Sequence, residues 1–324
     1  MSTAASSPVW LRRFTKVMFG ATLLLVFVGG LVTTTGSGLA VPDWPLSFGQ
    51  YFPPMVGGVL FEHGHRMVAG TVGIMMTALA IAIWLVERRR WVKWLALGAW
   101  LAVVLQAILG GITVLYKLPT PISVSHAGLA TIFLSMTAIL AVVTSRAWES
   151  GPAAARFQPT RGFILLCVAT AIVVYGQIIL GATMRHMGMG QQGLAIPDFP
   201  LSYGKLIPPR LDLAPILVHF LHRVGALVVG FFILATAMRI RRQRGVPTGL
   251  RTLSYLLVAL YLLQFVLGAF TIWTVRGMYV TTLHVAIGGL IFALSAVMAF
   301  SVLGFRQHSV SRVSAVAAAS GATA

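Results

Sequence analysis

Eight separate stretches, each long enough to cross a bilayer and nearly free of charge, govern what this chain can become. They fall at about 17–35, 67–86, 94–115, 122–143, 162–184, 213–238, 253–273 and 280–305. A helix crosses the hydrocarbon core with about 20 apolar residues, so each stretch suffices for one passage. Long unbroken apolar runs, rather than short alternating ones, exclude a porin-like barrel. Only 9% of residues are charged while 58% are hydrophobic, too little charge to cover a soluble surface. The sequence therefore predicts an all-α integral membrane protein with eight transmembrane helices.

A formal net charge of +18 could point to nucleic acid, but the placement of the cations argues against it. They gather in alternate connections: Arg12, Arg13 and Lys16; Arg88, Arg89, Arg90 and Lys93; Arg146, Arg156 and Arg161; Arg239, Arg241, Arg242, Arg244 and Arg251; Arg306 and Arg312. The opposite side holds only Lys117, Arg185, Lys205, Arg210 and Arg276. The positive-inside rule then predicts a plasma-membrane protein with both termini in the cytoplasm and no nucleic-acid partner. The basic start and the apolar run from Val17 imitate a signal peptide, but the run is long and no small-residue cleavage site follows. An uncleaved first helix is expected. The lone Cys167 forbids an intramolecular disulfide, and the Ala/Ser-rich segment 309–324 is expected to be a disordered tail.

The chain also repeats itself. GLAVPDWPLSFGQYFPP at 38–54 returns as GLAIPDFPLSYGKLIPP at 193–209, and His65-Arg66 returns as His222-Arg223. Gln106 with Leu109-Gly110 returns as Gln264 with Leu267-Gly268, and His126 as His284. Four helices per unit is an even number, so both units insert the same way up, a parallel repeat. The expected organisation is two tandem four-helix bundles: residues 1–146, a polar linker at 147–161, and residues 162–308. The two long loops between helices one and two of each unit are expected to cap the bundle on its outer side. Their Asp43 and Asp198 precede an aromatic–Pro pair and read first as turn builders.

His65, His126, His222 and His284 open the second, fourth, sixth and eighth helices, so all four imidazoles start at the same leaflet. Two neutral imidazoles facing across a helical bundle make a bis-histidine iron site, and the repeat supplies two. Polar groups at membrane depth are costly without a purpose. Zinc fits less well, because no cysteine and few carboxylates accompany the pairs. Arg66 and Arg223 follow the first histidine of each pair and could neutralise a haem propionate or anchor the interface. Gln106 and Gln264 suit interhelical hydrogen bonds. Gly110-Gly111 and Gly288-Gly289 suit close approach of helices. Glu62 lies three residues before His65, whereas the second half has His219 there. A carboxylate beside one site only can exchange protons with a reacting group; a pairing with Arg66 is the plainer alternative. His63 and His219 receive no ligand role, and His186 and His308 are expected to be solvated.

GLAVPDWPLSFG, EHGHR at 62–66, SVSHAG around His126, HFLHR at 219–223 and LHVAIGG around His284 together resemble the haem A synthase family, the Cox15/CtaA proteins. The resemblance runs from the first helix to the eighth. It implies oxidation of the C8 methyl of haem O to a formyl group, giving haem A for cytochrome c oxidase. It further implies that His65 and His126 hold the substrate haem O and that Glu62 is the catalytic carboxylate. His222 and His284 would ligate a resident haem b. A haem O synthase and an electron carrier would be the partners. Some members carry a cysteine pair in the first outer loop; this chain has none, so it resembles the bacterial type without that pair. Two rivals share some of these features. A non-enzymatic membrane cytochrome b shares the bis-histidine pairs but gives Glu62 no task. A transporter would show polar groups nearer the midplane.

Overall fold

The computed structural model describes residues 7–149, 157–187 and 194–321, with side chains to 305. Its long helices are α1 (Val9–Thr34), α2 (Gly58–Val86), α3 (Arg90–Leu115), α4 (Thr120–Val143), α5 (Arg161–His186), α6 (Ala214–Arg242), α7 (Thr248–Trp273) and α8 (Met278–Gly321). All eight are long and apolar enough to cross a membrane, α8 through Met278–Phe305. A single helical turn, Arg146–Glu149, follows α4.

Most helices are longer than their apolar windows because propensity carries them past the hydrocarbon boundary. α2 begins at Gly58 rather than near 67, so the Glu62–Arg66 segment lies within the helix. Thr160 caps α5 by accepting from the Phe163 amide, and α4 and α6 begin with proline, whose missing N–H would be unpaired there anyway. Within the Ala/Ser-rich segment, the described backbone continues α8 as helix to Gly321. Alanine has the highest helix propensity, and extending an existing helix avoids the cost of nucleation.

α1 packs on α2, α2 on α3, α3 on α4 and α4 back on α1; α5, α6, α7 and α8 close an equivalent ring. Each ring has its own core, with Met76, Leu79, Ala99 and Phe133 in the first and Phe163, Ile233, Leu257 and Met298 in the second. The rings meet where α1 and α4 face α8 and where α4 faces α5, across Leu134, Ala138, Ala293 and Val297. Small residues allow this approach: a Cβ on Gly30 would stand 3.2 Å from Thr282, and one on Gly289 would stand 3.6 Å from Leu134 and Thr131. In lipid such close packing, not hydrophobic expulsion, holds helices together. The outward faces carry apolar side chains such as Ile74, Leu85 and Phe231, which suit lipid.

At the basic end of the bundle, Arg89 bridges Glu87 at 2.7 Å and Glu149 at 3.2 Å. Ser7 donates its amide to Glu149 and its hydroxyl to both acids. This cluster ties the start of the chain and the α2–α3 connection to the turn after α4.

At the other end, the loops before α2 and α6 fold alike. Ser47 pairs with Gln50 and Ser202 with Lys205, around Phe48-Gly49 and Tyr203-Gly204 at positive φ. Asp43 accepts from the amides of Phe48 and Gly49 at 2.7 and 2.8 Å; Asp198 accepts from those of Tyr203 and Gly204 at the same distances. Both aspartates are turn builders, as the plainer reading of the sequence expects.

Candidate functional site

His65, His126, His222 and His284 all sit in the first turns of their helices at the capped end. His222 and His284 face each other across the second ring, with ring centroids 6.5 Å apart and planes at 72°. Two imidazoles on opposite sides of one metal, each nitrogen about 2 Å from it, place their centroids roughly 6 Å apart. The observed separation fits a bis-histidine iron site. His65 and His126 lie within electrostatic reach of each other across the first ring. His65, His126 and His284 each leave Nδ1 buried without a partner among the described residues. Orphaned ring nitrogens in an apolar bundle are costly, and a ligand would satisfy the imidazoles that carry them. The residues present therefore fit a haem in each ring.

Each imidazole is seated on a glycine of a neighbouring helix. A Cβ on Gly29 would stand 3.1 Å from His65, one on Gly110 3.3 Å from His126, one on Gly181 2.8 Å from His222, and one on Gly268 3.2 Å from His284. Gly110 and Gly268 stand out within the repeat. Gly29 and Gly181 do not, because their surroundings, VFVGGLV and IILGATM, share little else. The glutamines orient the ligating helices: Gln106 donates to the His126 carbonyl at 2.8 Å and Gln264 to the His284 carbonyl at 3.0 Å. Both are interhelical bonds, as expected. Gln177, missed in the sequence, donates to the His222 carbonyl at 2.7 Å and lies 3.0 Å from its Nδ1. It stands four residues before Gly181; four before Gly29 is Leu25, so the first ring has no such contact.

Arg66 and Arg223 clamp the caps. Arg66 donates Nη1 to the carbonyls of Asp43 and Leu46 at 2.8 and 2.7 Å, while Arg223 donates Nη1 to Leu201 and Nη2 to Asp198, both at 2.8 Å. Both also reach the serine of the turn, Ser47 or Ser202. Most of their donors are thus directed at the caps, while Arg223 keeps a buried Nε without a partner among the described residues. Glu62 is buried, 4% exposed, and accepts from Arg66 at 2.7 Å and from the Val41 amide at 2.8 Å. His219 takes the matching place, accepting from the Ile196 amide at 3.1 Å. His63 bonds the Ser47 hydroxyl at 2.7 Å. His186, expected in a solvated loop, instead ends α5, half-buried, with its carbonyl accepting from Thr120. His308 lies beyond the described side chains.

Fold and site together define a multi-pass membrane protein that sets half-buried histidine pairs beneath two clamped caps. The COX15-CtaA family model, described as cytochrome oxidase assembly protein, matches residues 56–296. The chain is 30% identical to heme A synthase of Alkalihalophilus pseudofirmus over 85% of this chain and 92% of that protein. It is 31% identical to heme A synthase of Halalkalibacterium halodurans over 83% and 89%. It is also 30% identical to heme A synthase of Listeria welshimeri over 88% and 94%. The chain belongs to the COX15-CtaA family of cytochrome oxidase assembly proteins.

Proposed function

We propose that the protein is a haem A synthase that oxidises the C8 methyl group of haem O to a formyl group. The observation that carries this reading is one difference between two similar sites: an acid, Glu62, beside His65, and an imidazole, His219, in the same place beside His222. Its support is the family membership and the kinship with heme A synthases over most of the chain.

In this reading the first four-helix unit, residues 1–146, binds haem O and the second, residues 162–308, is the electron-transfer unit. His65 and His126 hold the iron of the substrate from opposite faces, fixing the macrocycle beneath the first cap. Arg66 keeps that cap closed and, at 2.7 Å, keeps the Glu62 carboxylate in place. Glu62 takes a proton from the oxidised methyl carbon's oxygen and returns it as water is lost. His222 and His284, with Gln177 orienting the first, hold haem b, which when bound supplies a one-electron relay. The caps exclude bulk water from both sites. In this reading the protein lies in the plasma membrane with both termini cytoplasmic and the caps outside, and the alternation of basic connections supports that orientation. Haem O arrives from a haem O synthase. In becoming a formyl group the methyl group gains one oxygen atom from water and gives up four protons and four electrons, and an electron carrier removes the electrons.

The test is production of the protein in a bacterial strain that makes haem O but lacks its own synthase, followed by extraction and chromatography of the haems. Haem A is the expected product. Haem O and haem b alone, with the protein present in the membrane, would overturn the assignment.

A further inference from the structure

The capped end of α5 carries a cation with no counter-charge among the described residues. Arg185 is partly buried between α1, α5 and α8. Its Nη2 donates to the Thr34 hydroxyl at 2.8 Å, Thr282 donates to the same hydroxyl at 3.3 Å, and the Arg185 Nε is buried with no partner among the described residues. The whole chain has six carboxylates, and each is engaged elsewhere. Asp43 and Asp198 hold the amides of their own turns, Glu62 is on Arg66, Glu87 and Glu149 share Arg89, and Asp212 pairs with Arg210. The charged side chain that acts on Arg185 is a second cation, Arg276, from the connection between α7 and α8. The partial negative charge at the end of α5 favours a cation only weakly. That is small beside the cost of desolvating a charged group without a counter-charge.

A guanidinium with a second cation in its field, and no acid among the described residues to pair with it, forms a site for an anion from outside the chain. Its place identifies the anion: the Thr34 hydroxyl that accepts from Arg185 also accepts from Thr282, which lies two residues before His284 on α8. We propose that Arg185, assisted by Arg276, binds a carboxylate of the ligand held between His222 and His284, namely a propionate of the resident haem. The inference rests on the haem reading of that histidine pair. It is specific to the second half. The positions matching Arg185 and Arg276 in the first half are Thr33 and Leu118, neither of which can bind a carboxylate by charge. A retained cofactor thus gains a charged anchor, while a substrate that must depart after reaction has none there. Arg66 and Arg223 are poorer candidates, because backbone carbonyls of the caps already accept from them.

The experiment uses the full-length protein in detergent, depleted of haem and reconstituted with protohaem or with its dimethyl ester, whose propionates carry no charge. Arg185→Gln is expected to weaken protohaem binding roughly tenfold to a hundredfold, the range for losing one charged hydrogen-bonded contact. It is also expected to lower the midpoint potential of the bound haem, since an unneutralised propionate favours the ferric state. Arg185→Lys should recover most of the potential by restoring charge. The dimethyl ester should bind the wild type and Arg185→Gln equally. Equal affinity and potential for protohaem in the wild type and Arg185→Gln would overturn the anchor while leaving the histidine assignment intact. So would an equal loss with acid and ester. A wild-type protein that takes up no haem at all would overturn both.

Discussion

Glu62 and His219 perform one mechanical task in the two halves. Glu62 accepts the Val41 amide at 2.8 Å and His219 the Ile196 amide at 3.1 Å, each fixing the entry to its cap. Latching therefore does not require an acid. What the first half adds is charge and a transferable proton, and these can be tested apart from the latch. Glu62→His copies the second half and Glu62→Gln keeps an acceptor oxygen for the Val41 amide. Both variants are expected to insert, to keep the resident haem spectrum, and to lose haem A formation by a hundredfold or so, the scale of a general acid–base group. Haem A at wild-type yield from Glu62→His would reduce Glu62 to a loop latch.

The helices were legible because an apolar run of bilayer length leaves little choice of structure, and the histidine pairs because duplication repeats them in register. The caps were legible only as turns. Their clamps depend on where the Arg66 and Arg223 side chains reach, and sequence spacing gives that for neighbours on one helix but not for a loop some twenty residues away. Gln177 has no polar partner in the repeat, since Leu25 stands in its place, and Gly29 and Gly181 are two among 33 glycines. The charge deficit at Arg185 emerges only when all six acids are located in space.

The turns within the caps should respond to acid. The Gly49 amide, with that of Phe48, holds the Asp43 carboxyl below its ordinary 3.8, and the Gly204 and Tyr203 amides do the same for Asp198. A carboxyl lowered in the folded state stabilises it fully above the unfolded value, and this contribution fades as pH falls through the folded one. Hydrogen exchange of the Phe48, Gly49, Tyr203 and Gly204 amides, corrected for intrinsic rates, is expected to lose protection below about pH 4. In the Asp43→Asn, Asp198→Asn double variant protection should already be reduced and nearly independent of pH. Wild-type protection that stays flat from pH 6 to pH 3 would contradict this.

At the opposite end, Arg89 holds two acids together. Burial pushes the Glu87 carboxyl up, but hydrogen bonds and charge from Arg89 more than reverse it, so the group titrates below its usual range. Replacing Arg89 with Met leaves Glu87 and Glu149 facing each other in a poorly hydrated corner. The expected loss is about 2–3 kcal/mol, below the usual figure for breaking a fully buried pair because Arg89 keeps partial access to solvent. Thermal unfolding in detergent should show a lower midpoint, and adding Glu87→Gln and Glu149→Gln should restore most of it. An Arg89→Met protein as stable as wild type would mean that the cluster contributes nothing.

The glycine seats offer a way to disturb one site at a time without touching a ligand. A methyl group on Gly181 would stand 2.8 Å from Cε1 of His222, closer than real contacts allow, and the ring must turn or retreat. Gly181→Ala is therefore expected to cost about 1–3 kcal/mol through overpacking. It should also broaden or abolish the low-spin optical and electron paramagnetic resonance signals of the resident haem. Gly29→Ala presses on His65 at 3.1 Å instead. It should leave those signals intact while lowering haem A yield, because only the first site is displaced. Gly176→Ala and Gly20→Ala serve as controls, as a methyl group at either position meets nothing within 4 Å. If Gly181→Ala kept an unaltered resident spectrum, or if Gly29→Ala were the variant that lost it, the assignment of the two histidine pairs to separate haems would have to be exchanged or abandoned.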